Sequence, residues 1–299
     1  MRFSYYSVLA LFVLLTAACN FNKLFLVPTK VPAGAKQMTF HRGTDTTVVS
    51  FSGRTHKPLF IKNGKDTLNT DFTLESVLFT NANGDTLNGW FLKSKTVTPT
   101  VTILHCHGNG GFLVSQYRAM SPLLSLGFQI FMFDYSGFGF SQGKATRKNV
   151  LIDANSALDY LKTRPEIENT KLVIYGQSLG GHLSVVLATE RQSEIDGLVM
   201  EGAFSSHKDI AADMVPVLGR IFVKQGYCAI KSIKEFHKPL LVIHSTEDET
   251  IPYTMGQKIF AAANEPKQFY EISKCHICGP MYYADSIAVK IKAMWREGK

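Results

Sequence analysis

Lys171 to Gly181 reads K-L-V-I-Y-G-Q-S-L-G-G. Val173, Ile174 and Tyr175 are strand formers, and from Leu179 to Glu190 apolar residues recur at helical spacing through Leu183, Val186 and Leu187. Ser178 stands at the junction, between Gly176 and Gly180. A strand that turns this sharply into a helix brings two backbones too close for a Cβ, which accounts for the glycines. It also holds the residue at the turn in a strained conformation with its side chain exposed. The stretch therefore predicts a nucleophile elbow with Ser178 Oγ presented at the edge of a sheet. Gly139 to Gly143, G-F-S-Q-G, has the same spacing but follows no strand signal and leads into polar residues, so Ser141 reads as a loop residue.

Outward from the elbow, strand and helix signals alternate. Strands are expected over 100–105, 129–134, 171–175, 197–201, 239–244 and 268–272, and helices near 115–126, 146–163, 179–190, 254–263 and 282–296. This alternation predicts an α/β fold, a mostly parallel central sheet with helices on both faces. Two strands over 75–80 and 86–93, joined across Asn83-Gly84, open it as an antiparallel hairpin. Residues 204–237 break the alternation with irregular, helical and apolar sequence, and about 30 residues is more than a crossover needs, so they read as a small helical cap.

A serine attacks an ester only if a base takes its proton and a carboxylate holds the base's second nitrogen. In an open parallel sheet such groups belong at the carboxyl ends of later strands. The strand over 239–244 leads into Glu247-Asp248-Glu249-Thr250-Ile251-Pro252, and the last strand leads into Ser273-Lys274-Cys275-His276. Of nine histidines, His276 alone follows the acidic loop. Ser178, Asp248 and His276 thus fall in the order nucleophile, acid, histidine. Glu201, ending the preceding strand, is the chief rival acid, and Glu247 and Glu249 read as solvated. His107 reads as a structural hydrogen-bonding residue, His182 as packing, and Asp134 as a partner for loop backbone.

With His107-Gly108-Asn109, Asp134 to Gly139 (D-Y-S-G-F-G), the G-Q-S-L-G-G elbow and the Glu247 to Pro252 loop together, the chain resembles the α/β-hydrolase superfamily over nearly all of residues 75–299. It looks like the branch containing membrane-associated lysophospholipases, protein depalmitoylases and their bacterial relatives. The resemblance implies a Ser178, Asp248, His276 triad. It also implies an oxyanion hole from the backbone N–H groups of Leu179 and Asn109, with Gly110 and Gly111 letting backbone approach the substrate. Cys275 departs from the pattern, since relatives often place glycine before the histidine.

The first residues carry Arg2, an apolar run from Val8 to Leu15, and Thr16-Ala17-Ala18-Cys19. Residues 1–18 have the order of a secretory signal. A cysteine after two small residues resembles the lipobox of bacterial lipoproteins, implying cleavage before Cys19, its acylation, and an exported, membrane-anchored product in the cell envelope. Residues 19–74 then read as anchor, linker and an irregular or short-stranded extension, and 75–299 as the catalytic domain. The net charge of +8 is scattered among acids, which argues against a nucleic-acid partner. Beyond Cys19 the cysteines are Cys106, Cys228, Cys275 and Cys278; the last two form a lone C-x-x-C, read as a local disulfide or as buried thiols rather than a metal site.

The expectation is a serine hydrolase acting on a small-molecule or lipid acyl ester, or a thioester, through an acyl-enzyme, with no metal or organic cofactor. A serine peptidase of the same fold and an inactive lipoprotein used as a binding module are the alternatives, with a redox or metal role centred on Cys275 and Cys278 as a third reading.

Overall fold

The computed structural model describes residues 25–42, 45–66, 71–216 and 218–295; the expected signal segment and Cys19 lie outside the described residues. Where the sequence suggests an irregular extension, β1 (Gln37–Arg42), β2 (Asp45–Ser52), β3 (Lys57–Lys62) and β4 (Lys65–Asp66) form an antiparallel sheet in chain order. Its buried residues are few, chiefly Val49 and Phe60. The Phe60 ring lies 5.0 Å from that of Tyr117 and 6.3 Å from that of Trp90, which fixes the small sheet against the main body.

The main sheet begins with the hairpin of β5 (Phe72–Thr80) and β6 (Thr86–Ser94). Gly84 supplies the positive φ of its turn, and Asn81 Oδ1 accepts the N–H groups of Asn83 and Asp85. There follow β7 (Val101–Cys106), β8 (Phe128–Phe133), β9 (Lys171–Gln177), β10 (Gly197–Glu201), β11 (Leu240–Ser245) and β12 (Lys267–Ile272). The spatial order is β12-β11-β10-β9-β7-β8-β6-β5, parallel from β12 to β8 and antiparallel at β6 and β5.

The central strands are apolar on both sides because both faces are covered. Ile103 and Val173 belong to one apolar cluster with Tyr117, Met120, Ile287 and Ile291, whereas their neighbours Leu104 and Ile174 belong to the other with Leu158, Leu161, Leu183 and Leu187. The first cluster is covered by α1 (Leu113–Met120), and the second by α2 (Arg147–Lys162) and α3 (Leu179–Glu190). The helix expected over 115–126 is α-helical only to Met120 and continues as a 3₁₀ segment through Leu126, because Pro122 has no N–H to extend the ladder.

The region from 204 to 237 holds three short helices, α4 (His207–Met214), α5 (Gly219–Phe222) and α6 (Ala229–Ser232). Ser206 caps α4 by accepting the Asp209 N–H. Met214, Leu218 and Ile221 are 56%, 50% and 70% exposed, so this segment turns apolar side chains to solvent. After it come α7 (Tyr253–Ala262) and α8 (Gly279–Ala293), the latter starting earlier than sequence suggests because Pro280 suits a first helical turn. Among the described residues no helix is long and apolar enough to cross a membrane, and no group of three or more His, Cys, Asp or Glu side chains could hold a metal.

Strand register gathers the loops that matter. Cys106 is level with Gly176, Gln177 with Glu201, and Ser245 with Ile272. The segments leaving these ends carry Gly108, Ser178, Gly202, Asp248 and His276, so five chain segments separated by up to 168 residues converge at one rim.

Candidate active site

Ser178 sits between β9 and α3 with φ 55° and ψ −117°, a region that a residue with a side chain enters only when its surroundings enforce it. The surroundings do so. Its N–H donates to Glu201 O at 2.9 Å and its carbonyl accepts the His182 N–H at 3.1 Å. A Cβ on Gly176 would lie 2.3 Å from Gly180 O, and one on Gly180 would lie 2.0 Å from Cys106 O, so strand, turn and helix close up only around glycine. Ser141, the other serine at this spacing, is a buried loop residue that donates to Asp134 O and accepts the Asn88 N–H.

The structure brings Asp248 and His276 together across the β11 and β12 loops. His276 Nδ1 donates to Asp248 Oδ2 at 2.6 Å, and the Asp248 side chain is fully buried. Asp248 Oδ1 accepts the N–H groups of Thr250 and Ile251 at 2.9 and 2.8 Å. Burial alone would raise this carboxyl, but hydrogen bonds from His244, His276 and the Ile251 N–H outweigh it and hold Asp248 well below the usual carboxylate range. An ionised Asp248 on Nδ1–H fixes the tautomer that leaves Nε2 able to accept a proton. That Nε2 hydrogen-bonds to no protein group.

Gly108 links this pair to the serine. A Cβ built on it would be 3.4 Å from both Ser178 Cβ and Ile277 Cδ1, and one on Gly202 would be 3.1 Å from the His276 ring. Gly108 therefore lies against the elbow, and the histidine loop lies against both. Leu179 opens α3, where helix geometry gives its N–H no intrahelical acceptor. Asn109 follows β7 as expected, and its side chain is engaged: Oδ1 accepts the Val27 N–H at 2.7 Å. Gly111 N–H is taken by Thr29 Oγ1 at 3.2 Å.

Glu201 does not partner His276. Its Oε2 accepts from Tyr175 Oη at 2.9 Å and Gln177 Nε2 at 2.8 Å, and its Oε1 from the Gly279 N–H at 2.6 Å. Burial raises its pKa. Gln177 bridges onward to His105 Nε2 and to Ile277 O. Glu247 is exposed and reaches the Lys274 N–H, and Glu249 is exposed. His107 packs on Tyr135 at 4.2 Å, donates to Gly108 O, and is driven down to about 3 by burial, so it stays neutral under the loop. His182 stacks on Phe204 at 4.2 Å and donates to its carbonyl, tying α3 to the cap. Asp134 accepts the Leu113 N–H at 2.9 Å.

Two features escape a reading of sequence alone. His244 Nε2 reaches Ile251 O at 3.1 Å and Asp248 Oδ2 at 3.3 Å, giving the acid a second imidazole. Its one signal is its place at the end of β11, four residues before the acid. Residues 25–31 cross the loops after β7 and β8, the first through Val27 and Thr29 as above and the second through Thr29 O and Val31 N–H to Gly139. Phe25 is buried beside Leu179, Phe204 and Ile210, its ring 5.1 Å from that of His207.

The family model of the alpha/beta hydrolase fold matches residues 101–222. An uncharacterized protein of Salmonella typhi, YfhR, is 35% identical over 209 residues, covering 65% of this chain and 71% of its own. Protein bem46 of Schizosaccharomyces pombe is 30% identical over 190 residues, covering 62% and 64% respectively. Among solved structures, the esterase Pf2001 of Pyrococcus furiosus superposes with TM-score 0.61 at 17% identity, over 75% of this chain and 92% of that one. Est1E of Butyrivibrio proteoclasticus gives 0.62 at 16%, over 74% and 99%. A matched family model, relatives at this identity and the sheet order together assign the chain to the α/β-hydrolase fold family.

Proposed function

We propose that the protein is a serine hydrolase that cleaves carboxylic esters or thioesters through an acyl-enzyme. The observation that carries this is the Asp248 to His276 pair, with an acceptor nitrogen left over, at the same sheet rim as a serine held at φ 55°. Ser178 Oγ attacks the acyl carbon as His276 Nε2 takes its proton, and Asp248 stabilises the imidazolium. The backbone N–H groups of Leu179 and Asn109 receive the oxyanion. The tetrahedral adduct collapses as His276 returns the proton to the leaving oxygen or sulfur, and water, deprotonated by the same nitrogen, then releases the acid.

An acylated Cys19 would tether the enzyme to a membrane of the cell envelope, in keeping with the lysophospholipase and depalmitoylase resemblance. The exposed Met214, Leu218 and Ile221 support substrates presented at a lipid surface. The test is hydrolysis of nitrophenyl esters from acetyl to palmitoyl by the chain beginning at Asn20, with Ser178→Ala alongside. Activity should vanish in the variant; a fully active Ser178→Ala protein would sink the mechanism.

A further inference from the structure

His276 lies inside a covalent ring. Cys275 and Cys278 are joined as a disulfide, their Cα atoms 5.7 Å apart, and His276 and Ile277 are the two residues between them. The chain is pinned on either side of that ring. Before it, Ser245 Oγ donates to Lys274 O, Glu247 accepts the Lys274 N–H, and Lys274 is held at φ 97°, which costs a residue with a side chain. After it, Gln177 Nε2 donates to Ile277 O and the Gly279 N–H to Glu201. Between the pins the His276 side chain has one hydrogen-bonding partner, Asp248. The disulfide is the element that spans the histidine.

The two sulfurs differ. Cys275 is exposed, whereas Cys278 is 2% exposed. A thiolate can approach Cys275 Sγ from solvent, and the sulfur it displaces is the buried one, on Cys278. Cys106 and Cys228 are free and buried, so this is the one disulfide among the described residues that a reductant meets.

We propose that the Cys275–Cys278 disulfide is a positioning element for His276 and a redox-sensitive site, opened by a dithiol, so that reduction lowers turnover. This rests on the triad reading above. In the first step a dithiol thiolate forms a bond to Cys275 Sγ as the S–S bond breaks and Cys278 leaves as thiolate. The second thiol of the same molecule, as thiolate, attacks the sulfur it has already placed on Cys275 and releases Cys275. The dithiol loses two electrons to become a cyclic disulfide, the protein disulfide gains them, and the two thiol protons finish on Cys275 and Cys278. With the ring open, His276 keeps Asp248 but loses its fixed position relative to Ser178, and a misplacement of about 1 Å in a catalytic group can cost up to about 100-fold.

The test equilibrates the full chain with reduced and oxidised dithiothreitol at several ratios, then removes the reagent anaerobically before assaying a short nitrophenyl ester. Alkylation and mass analysis of a parallel sample report the state of the two cysteines. Reduction should lower kcat by about 10-fold or more with KM nearly unchanged, slow the labelling of Ser178 by a fluorophosphonate in parallel, and be reversed by reoxidation. A Cys275→Ser, Cys278→Ser protein should show the reduced kcat and no response to dithiol. Equal kcat and labelling in the two states, with both cysteines demonstrably reduced, overturns the proposal and leaves the triad standing. No labelling in either state overturns the triad and the proposal with it.

Discussion

Asp248→Asn separates this acid from its rivals, and the structure dictates how it should fail. Asp248 Oδ1 accepts two main-chain N–H groups, from Thr250 and Ile251, while Oδ2 faces the two imidazoles of His276 and His244. An asparagine must keep its oxygen toward the two donors, which turns its NH₂ group toward both rings. His276 Nδ1 then has to accept, its proton moves to Nε2, and the nitrogen needed to deprotonate Ser178 is blocked. Locking a triad histidine in the wrong tautomer costs about 10⁴ in kcat, equivalent to about 5.5 kcal/mol of barrier. The assay is kcat and KM on a short nitrophenyl ester for wild type, Asp248→Asn and Glu201→Gln, with thermal melts to show that each protein is folded. Asp248→Asn should lose about three to four decades of kcat with KM little moved. A folded Asp248→Asn protein within 10-fold of wild type, or a larger loss in Glu201→Gln, would refute the assignment.

Other consequences can be measured independently. Gly180→Ala sets a Cβ 2.0 Å from Cys106 O and 2.5 Å from His107 O, both main-chain atoms, so the urea midpoint should fall by an amount equivalent to about 3 kcal/mol or more; an unchanged midpoint would contradict the elbow packing. Burial raises Asp134 from its ordinary 3.8 to about 8, so its proton stabilises the fold fully below 3.8 and that contribution is lost as pH rises through 8. Relative to Asp134→Asn, wild type should therefore lose stability between pH 4 and 8 in denaturant titrations, whereas a constant difference would mean that Asp134 titrates alike in the folded and unfolded chain. Replacing Met214, Leu218 and Ile221 with serine should weaken sedimentation of the chain beginning at Asn20 with lipid vesicles and spare hydrolysis of a soluble ester; equal sedimentation would remove the cap from membrane contact.

The layered fold was legible because its signals are local. Apolar runs such as Leu172 to Tyr175 and Leu240 to Ile243 are strands buried on both faces, and glycines at 176 and 180 have a steric reason that a short window reveals. The order of serine, acid and histidine is likewise a property of the chain. Sequence order favoured Asp248 over its rival Glu201, but the contact that separates two acids at neighbouring strand ends depends on how the loops fold back, which neither segment records. Asp248 meets the ring because its loop curls over His244, whereas Glu201 is absorbed by Tyr175, Gln177 and Gly279. The four-stranded extension was illegible for another reason: its strands bury little apolar surface, so no strong alternation marks them. The contact of Val27 with Asn109 spans 82 residues and leaves no trace in either segment.

That last contact sets a range of action. Phe25 is six residues from Cys19, a stretch that spans at most ~20 Å when fully extended. Because residues 25–31 are fastened to the very loop that would bind the oxyanion, a lipid on Cys19 would hold the reaction centre on a leash of that length, attached at its own doorway rather than at the far side of the domain. Such an enzyme would graze the bilayer that carries it: esters projecting from the same leaflet would be met again and again, while those dissolved in bulk water or seated in an opposing membrane would be reached only by chance.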